Sequence, residues 1–319
     1  MTDFILLTGF LGSGKTTLLA DFLRTKEGAD TAVIVNEAGQ IDIDGAVIAE
    51  TGGGVPMALL ANGCVCCSVA NDLLYTVEAL IAARPTPFRR IVLETSGLAM
   101  PGPILRALAE LGPLGMRAGV VATCDAAAPP FGAENFPTAA AQLAAAGTMV
   151  LTKLDRAPAQ DVARHLAGIN PLAGLVVEAD PVGRAIAAFA APGMGTLPAI
   201  SAAGHPRVTV MTARIGTVTF DALLEWLENL AGLAGERLLR LKGVVQPSDL
   251  DRPLLIQAVG SAFSPPRPFA GTAERGLVII ARDFAAAELA AMQPDFPLTL
   301  ETKSAGPWQG PAVQRLRSG

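Results

Sequence analysis

The segment GFLGSGKT, Gly9 to Thr16, fits the pattern G-x-x-x-x-G-K-[ST]. Residues of these types at this spacing can cradle a phosphate chain. Glycines let the backbone curl so that successive N–H groups face phosphate oxygens, and the start of the following helix adds its positive end. Lys15 would reach the β- and γ-phosphates, and the Thr16 hydroxyl would coordinate Mg²⁺. Gly9, Gly12, Ser13, Gly14, Lys15, Thr16 and Thr17 are therefore the candidate phosphate-binding residues.

Two further segments extend this chemistry. ETSG, Glu94 to Gly97, ends an apolar run. A carboxylate at the carboxyl end of a neighbouring parallel strand faces the γ-phosphate and Mg²⁺. Glu94 joins Lys15 and Thr16 as the candidate catalytic set, and Gly97 would bring its N–H to the γ-phosphate. TKLD, Thr152 to Asp155, fits the [NT]-K-x-D of guanine-specific nucleotide-binding proteins. The Asp155 carboxylate would accept from guanine N1–H and N2–H₂, a donor pair that adenine lacks. Lys153 would lie along the base, and Thr152 would stand between base and phosphate loop.

A third chemistry is concentrated in ANGCVCCSV, residues 61–69, which holds Cys64, Cys66 and Cys67. Four readings compete: a disulfide, a small apolar patch, a nucleophile and a set of metal thiolates. A Cys66–Cys67 disulfide would be a strained vicinal ring. A nucleophile would want a base, and neither His165 nor His205 is close in sequence. Soft thiolates bind Zn²⁺, Co²⁺ or Cu(I) well. Three of them leave a tetrahedral ion one open position, which suits transfer rather than storage.

These segments need a frame. Apolar, non-alternating runs at Phe4–Thr8, Thr31–Asn36, Arg90–Glu94, Gly119–Cys124, Gly147–Thr152 and Gly174–Val177 predict parallel strands buried on both faces. Helical stretches at Thr16–Arg24, Ala70–Ala83, Pro103–Leu111 and Ala159–Ala167 alternate with them. The pattern predicts an α/β fold, a doubly wound and mostly parallel sheet, over residues 1–183. Residues 184–206, rich in Ala, Pro and Gly, read as a linker. A smaller α+β domain is expected over 207–302, with strands at Arg207–Thr212, Leu238–Val245, Leu254–Val259 and Leu277–Ala281. Its first helix, Phe220–Leu233, places Phe220, Leu223, Leu224, Leu227 and Leu230 on one face, and a second runs from Phe284 to Met292. Residues 303–319 read as a tail.

Composition limits the function classes. With 319 residues and 51% hydrophobic content, the chain can fill about two cores. A net charge of −5 argues against phosphate neutralisation on nucleic acid. Mean hydropathy is +0.43, yet the longest uncharged stretch, between Arg184 and His205, is broken by Pro192, Gly193, Gly195 and Pro198. A spanning helix needs about 20 apolar residues without such breaks. No membrane span and no export signal are expected, and the cytoplasm, where thiols stay reduced, is the expected compartment.

Taken in order, GFLGSGKTT, NEAGQIDID (Asn36–Asp44), GCVCC (Gly63–Cys67), ETSG and TKLD resemble the CobW family of metallochaperone GTPases. INPLA (Ile169–Ala173), GERLLRLKG (Gly235–Gly243) and ERGLVIIA (Glu274–Ala281) extend the likeness toward the C-terminus. Thr152 stands where the family more often has Asn, and Ala38 where it has Phe. The histidine-rich loop of many members is absent, since His165 and His205 are the only histidines.

The resemblance implies a GTPase that carries Zn²⁺ or Co²⁺, with Fe²⁺ as a further option; a nucleotide-switched regulatory binding protein and an ATP-dependent enzyme with structural cysteines are the alternative readings. The metal would pass to a client protein or a cofactor-insertion enzyme, cobalamin biosynthesis being one such pathway. GTP, GDP and Mg²⁺ are the implied cofactors. Cys64, Cys66 and Cys67 become the implied metal ligands, and Glu37, in the switch-like Asn36–Asp44 segment, an extra one. Hydrolysis is expected to be slow alone, because no arginine finger or water-positioning Gln stands in the motifs. Arg24, Arg89 and Arg90 read as solvated. A partner or a homodimer would complete the site.

Overall fold

The computed structural model describes residues 2–36, 56–59, 69–109, 116–190 and 205–303. Glu37, Cys64, Cys66 and Cys67 lie outside the described residues, as do 191–204 of the expected linker and 304–319 of the expected tail.

Seven parallel strands form the first sheet: β1 (Asp3–Gly9), β2 (Thr31–Asn36), β3 (Met57–Leu59), β4 (Arg90–Thr95), β5 (Arg117–Asp125), β6 (Thr148–Thr152) and β7 (Gly174–Val176). Their spatial order is β3-β2-β4-β1-β5-β6-β7. Side chains alternate between two cores. Phe4, Leu6, Ile34, Leu93 and Leu151 enter one; Ile5, Leu7, Val33, Val92 and Val150 enter the other. Both faces are covered, which is why the strands read as continuous apolar runs. β1 lies between β4 and β5, where the strand order reverses, so its carboxyl end opens at the crevice where such sheets bind ligands.

Helices α1 (Lys15–Leu23) and α6 (Pro181–Phe189) cover one face. Helices α2 (Val69–Ala82), α3 (Pro101–Ala109), α4 (Phe136–Ala145) and α5 (Gln160–Ile169) cover the other. Two of these correct the sequence reading. Residues 184–189 are no linker but the second half of α6. Asp180 caps that helix by accepting from Gly183 N–H at 2.6 Å, and Pro181 opens it. α4 carries no amphipathic stripe because it is buried almost all round.

The second sheet is antiparallel, in the order β11-β10-β9-β13-β8-β14. Its strands are β8 (Val208–Ile215), β9 (Leu238–Val245), β10 (Leu254–Val259), β11 (Ala262–Phe263), β13 (Gly276–Arg282) and β14 (Leu298–Lys303). The short β12 (Arg267–Pro268) pairs with β10. Helices α7 (Phe220–Ala234) and α8 (Ala286–Met292) cover one face. In α7 the fully buried stripe is Leu223, Trp226, Leu227 and Leu230, with Leu224 only half-buried. Trp226 therefore takes the place the helical pattern gave to Leu224. On the other face Val208, Val210, Leu239, Val278 and Ile280 join the core of the first sheet. α4 is the layer between the two sheets, and its alanines let both come close. Among the described residues no helix is long and apolar enough to cross a membrane.

Candidate functional site

The phosphate loop begins where β1 ends and closes into α1. Gly14 caps α1 with φ of 88°, a left-handed conformation that costs glycine little. Lys15 is almost fully buried, and its Nζ donates to Gly9 O at 2.9 Å and Phe10 O at 3.3 Å. The ammonium thus folds back over its own loop. Ser13 is buried with its hydroxyl 2.6 Å from that of Thr123 on β5. Gly12 and Thr17 are exposed at the mouth and the first helical turn. The early N–H groups of such a helix have no intrahelical acceptor, so the loop carries the positive potential a phosphate needs.

β4 delivers Glu94 to the same edge. The Thr16 hydroxyl donates to Glu94 Oε1 at 2.7 Å. A hydroxyl and a carboxylate together are the hard-oxygen donors Mg²⁺ takes. The two groups therefore fit that ion. Glu94 is buried at the strand end and not solvated. Next to it the Thr95 hydroxyl donates to Leu7 O at 3.2 Å and ties β4 to β1. Gly97 lies directly against the phosphate loop: a Cβ there would stand 2.6 Å from Leu11 N. Only glycine allows that approach.

β6 delivers the third segment. The Thr152 hydroxyl, buried, donates to Ser13 O at 2.8 Å and to Cys124 O at 3.2 Å. This threonine holds the loop and β5 together in the place where Asn is the more frequent family residue. Lys153 sits in the left-handed region, with φ of 54°. Its Nζ is 2.6 Å from Asp125 Oδ2, while Asp125 Oδ1 accepts from Ala127 N–H at 2.8 Å. The Lys153 stem is thereby pinned to the end of β5. Asp155 is exposed, with 78% of its side chain open, and its nearest cation is Arg156 at 3.8 Å.

The structure thus brings the candidate phosphate-loop residues together with Glu94, Gly97, Thr152, Lys153 and Asp155 at the carboxyl edge of the sheet. Among the described residues no cluster of His, Cys, Asp and Glu could hold a metal. Of the arginines read as solvated, Arg90 is not. It is buried at the opposite edge, donates to Glu27 O at 3.1 Å, and lies 4.8 Å over the Phe22 ring. Burial lowers its pKa, with Arg89 adding to the effect.

Sequence reasoning missed Gln142. It is buried in α4, and its Nε2 donates to Gly97 O at 3.0 Å and Ala99 O at 3.1 Å. It also gave Asn170 of INPLA no role. Asn170 Nδ2 donates to Leu143 O, Ala144 O and Ala146 O at 2.8, 3.1 and 3.0 Å, capping the end of α4. A lone polar residue inside an alanine run was the one available signal for Gln142.

Comparison with known proteins places this arrangement. The zinc chaperone YjiA of Escherichia coli (strain K12) is 37% identical over 172 residues, which is 52% of this chain and 54% of YjiA. The zinc chaperone CobW of Sinorhizobium sp is 39% identical over 105 residues, 32% of this chain and 29% of CobW. The chain thus spans about half the length of one relative and under a third of the other. The Zn(II)-bound YjiA GTPase from E. coli shares the fold, with a TM-score of 0.64 at 24% identity over 92% of this chain and 98% of that one. The cobalamin synthesis protein cobW C-terminal domain matches residues 208–292. The CobW/HypB/UreG nucleotide-binding domain matches residues 3–175, more than half of the chain, and the protein therefore belongs to the CobW/HypB/UreG family.

Proposed function

We propose that this protein is a GTP-hydrolysing zinc chaperone that binds Zn²⁺ on one loop and passes it to a client protein. The observation that carries the reading is the meeting of three segments at one sheet edge: the Lys15 cradle, the Thr16–Glu94 pair and Thr152–Asp155. Phosphates would lie on Gly9–Thr17, with Gly97 beside them, and guanine against Lys153 and Asp155. Mg²⁺, when bound, neutralises charge on the β- and γ-phosphate oxygens, and Thr16 and Glu94 are the residues that would hold it. In the reaction, a water oxygen bonds to the γ-phosphorus and the bond to the β–γ bridging oxygen breaks. GDP and inorganic phosphate leave.

Zinc is the proposed cargo because YjiA and CobW are both named zinc chaperones. Cys64, Cys66 and Cys67, with Glu37 as an extra ligand, are the proposed zinc-binding residues. Zinc is favoured here over Co²⁺ and Fe²⁺. If the Asn36–Asp44 and Gly63–Cys67 segments respond to the γ-phosphate, zinc affinity differs between nucleotide states, and GTP affinity changes by the same factor when zinc binds. The client would be a metalloprotein or an enzyme that inserts metal into a cofactor. The cytoplasm is the compartment that suits three reduced thiols, and a second copy of the chain is a candidate partner for hydrolysis.

The test is metal analysis of the protein loaded with a non-hydrolysable GTP analogue or with GDP, offered Zn²⁺, Co²⁺ and Fe²⁺ together. Stoichiometric zinc with the analogue, weaker zinc with GDP, and loss of zinc in C64A/C66A/C67A are expected. Equal zinc in both nucleotide states would sink the gating. Zinc retained by the triple variant would sink the ligand assignment.

A further inference from the structure

Helix α4 touches both halves of the molecule, and each of its polar attachments leads somewhere. Near its carboxyl end Gln142 uses both amide hydrogens on Gly97 O and Ala99 O. Those carbonyls belong to the turn that follows Glu94. On its other side, Gly97 presses on Leu11 of the phosphate loop, with no room for a Cβ. Gln142, Gly97 and Leu11 therefore form one continuous stack from α4 to the nucleotide cradle.

Three residues further on, Ala145 O accepts a hydrogen bond from Arg240 Nη1, on β9 of the second sheet. Arg240, half-buried, lies there against the negative end of the helix, where a cation is favoured. Asn170 holds the neighbouring carbonyls and fixes the helix end. Half of α4 is alanine, so Phe136 and Leu143 are its main apolar anchors. The polar attachments at its end add directional anchors to these, and Arg240 supplies one from outside the parallel sheet.

We propose that Gln142 is a positioning residue of the nucleotide site, and that Arg240 makes the position of Gly97 answer to the C-terminal sheet through α4. The proposal rests on the GTPase reading above and adds to it a route by which a molecule bound on the second domain changes hydrolysis. A shift of α4 moves Gly97 against Leu11, while Thr152 holds the other end of the loop through Ser13 O and Asp155 lies beyond it at the end of β6. The expected signature is therefore a change in turnover with little change in nucleotide affinity.

The test uses the full chain with Gln142→Met, Arg240→Met and the double variant. GTP turnover, KM, GDP affinity and melting temperature are measured for each. Gln142→Met keeps the side-chain length and removes both donors. We expect its kcat to fall about tenfold, since small misplacements at a reacting centre are costly. KM and GDP affinity should stay within about twofold. Arg240→Met should lower kcat in the same direction, and the double variant should fall no further than Gln142→Met alone. Wild-type kcat in Gln142→Met overturns the proposal, and so do losses that multiply in the double variant. If Gln142→Met does not fold, unchanged kcat in Arg240→Met overturns it. A wild-type protein that turns over no GTP fails the GTPase reading itself, before any variant is compared.

Discussion

The Thr16 hydroxyl donates to the Glu94 carboxylate at 2.7 Å, a bond between residues 78 apart in sequence. It fixes the first turn of α1 to the end of β4. Removing the hydroxyl leaves a buried carboxylate oxygen short of a donor, which costs about 1–3 kcal/mol. Thr16→Ala and Glu94→Gln should each lower Mg²⁺-dependent GTP turnover by roughly 100-fold, of the order seen when one preorganised group is removed. Turnover against Mg²⁺ concentration checks this, and an unaltered Mg²⁺ response in both variants would remove the pair from the site.

Base selection should depend on Asp155 and its support. Asp155→Ala loses a charged acceptor, worth about 1.5–3 kcal/mol, so the preference for GTP over ATP should drop by roughly 10- to 100-fold. Thr152→Val keeps the shape and removes the bond to Ser13 O. It should cost about 1 kcal/mol of stability, while Thr152→Asn should retain GTP preference. Competition between labelled GTP and unlabelled ATP measures the first effect, and thermal unfolding the second. An Asp155→Ala protein that still rejects ATP would show that another group reads the base.

The two histidines predict a pH dependence. His165 of α5 and His205 before β8 lie 6.1 Å apart, ring to ring, and His205 stacks on Phe136 at 3.4 Å. Burial first, and His205 second, push the His165 pKa from 6.5 down to about 4. Burial also lowers that of His205, with Arg207 opposing its charge and Asp283 favouring it. The folded chain refuses protons that the unfolded chain accepts. Stability is therefore complete above pH 6.5 and is lost as pH falls toward about 4. The loss should be on the order of 1–3 kcal/mol. Melting temperature measured from pH 7.5 to about 4.5 should fall, and His165→Asn should flatten that slope. A slope that His165→Asn leaves unchanged would assign it to carboxylates instead.

Cys124 should be chemically silent. It is 1% exposed, and burial, followed by the neighbouring Asp125 charge, pushes its thiol up to about 12. In C64A/C66A/C67A a thiol reagent at pH 8 should therefore find nothing in the native protein and one thiol after denaturation. Rapid labelling of the native variant would contradict this, and would mean that thiol titration cannot serve to count free cysteines in the Cys64–Cys67 segment.

Much of this architecture is legible in residue types. Val, Ile and Leu runs announce strands buried on both faces, and Gly9–Thr16 announces the loop between the first of them and α1. The failures have separate physical causes. α4 is half alanine where two sheets close on it, and a helix buried on nearly every side shows no stripe. Residues 184–189 of α6 read as the start of a linker because their Ala-rich composition outweighs Asp180–Pro181, a cap and first-turn pair that marks a helix start. β14 falls inside the expected second domain, with only Lys303 in the stretch read as tail, but its short Leu298–Leu300 alternation is too slight to announce a strand. Gln142 shows in the sequence only as a polar residue inside an alanine run, because its acceptors lie 45 and 43 residues away.

One contact bears on how the protein can be divided for experiment. The Phe189 ring lies 4.4 Å from that of Phe22, and Phe189 O accepts from the buried Arg90 at 3.4 Å. The nucleotide-binding match ends at residue 175, before α6 begins. A fragment cut at that limit would keep every candidate nucleotide-binding residue, yet would bare the underside of α1 and take one acceptor from the Arg90 guanidinium. Its inactivity would then report a missing wedge behind the phosphate loop and say nothing about the second domain. A clean separation of the two halves has to fall beyond Phe189.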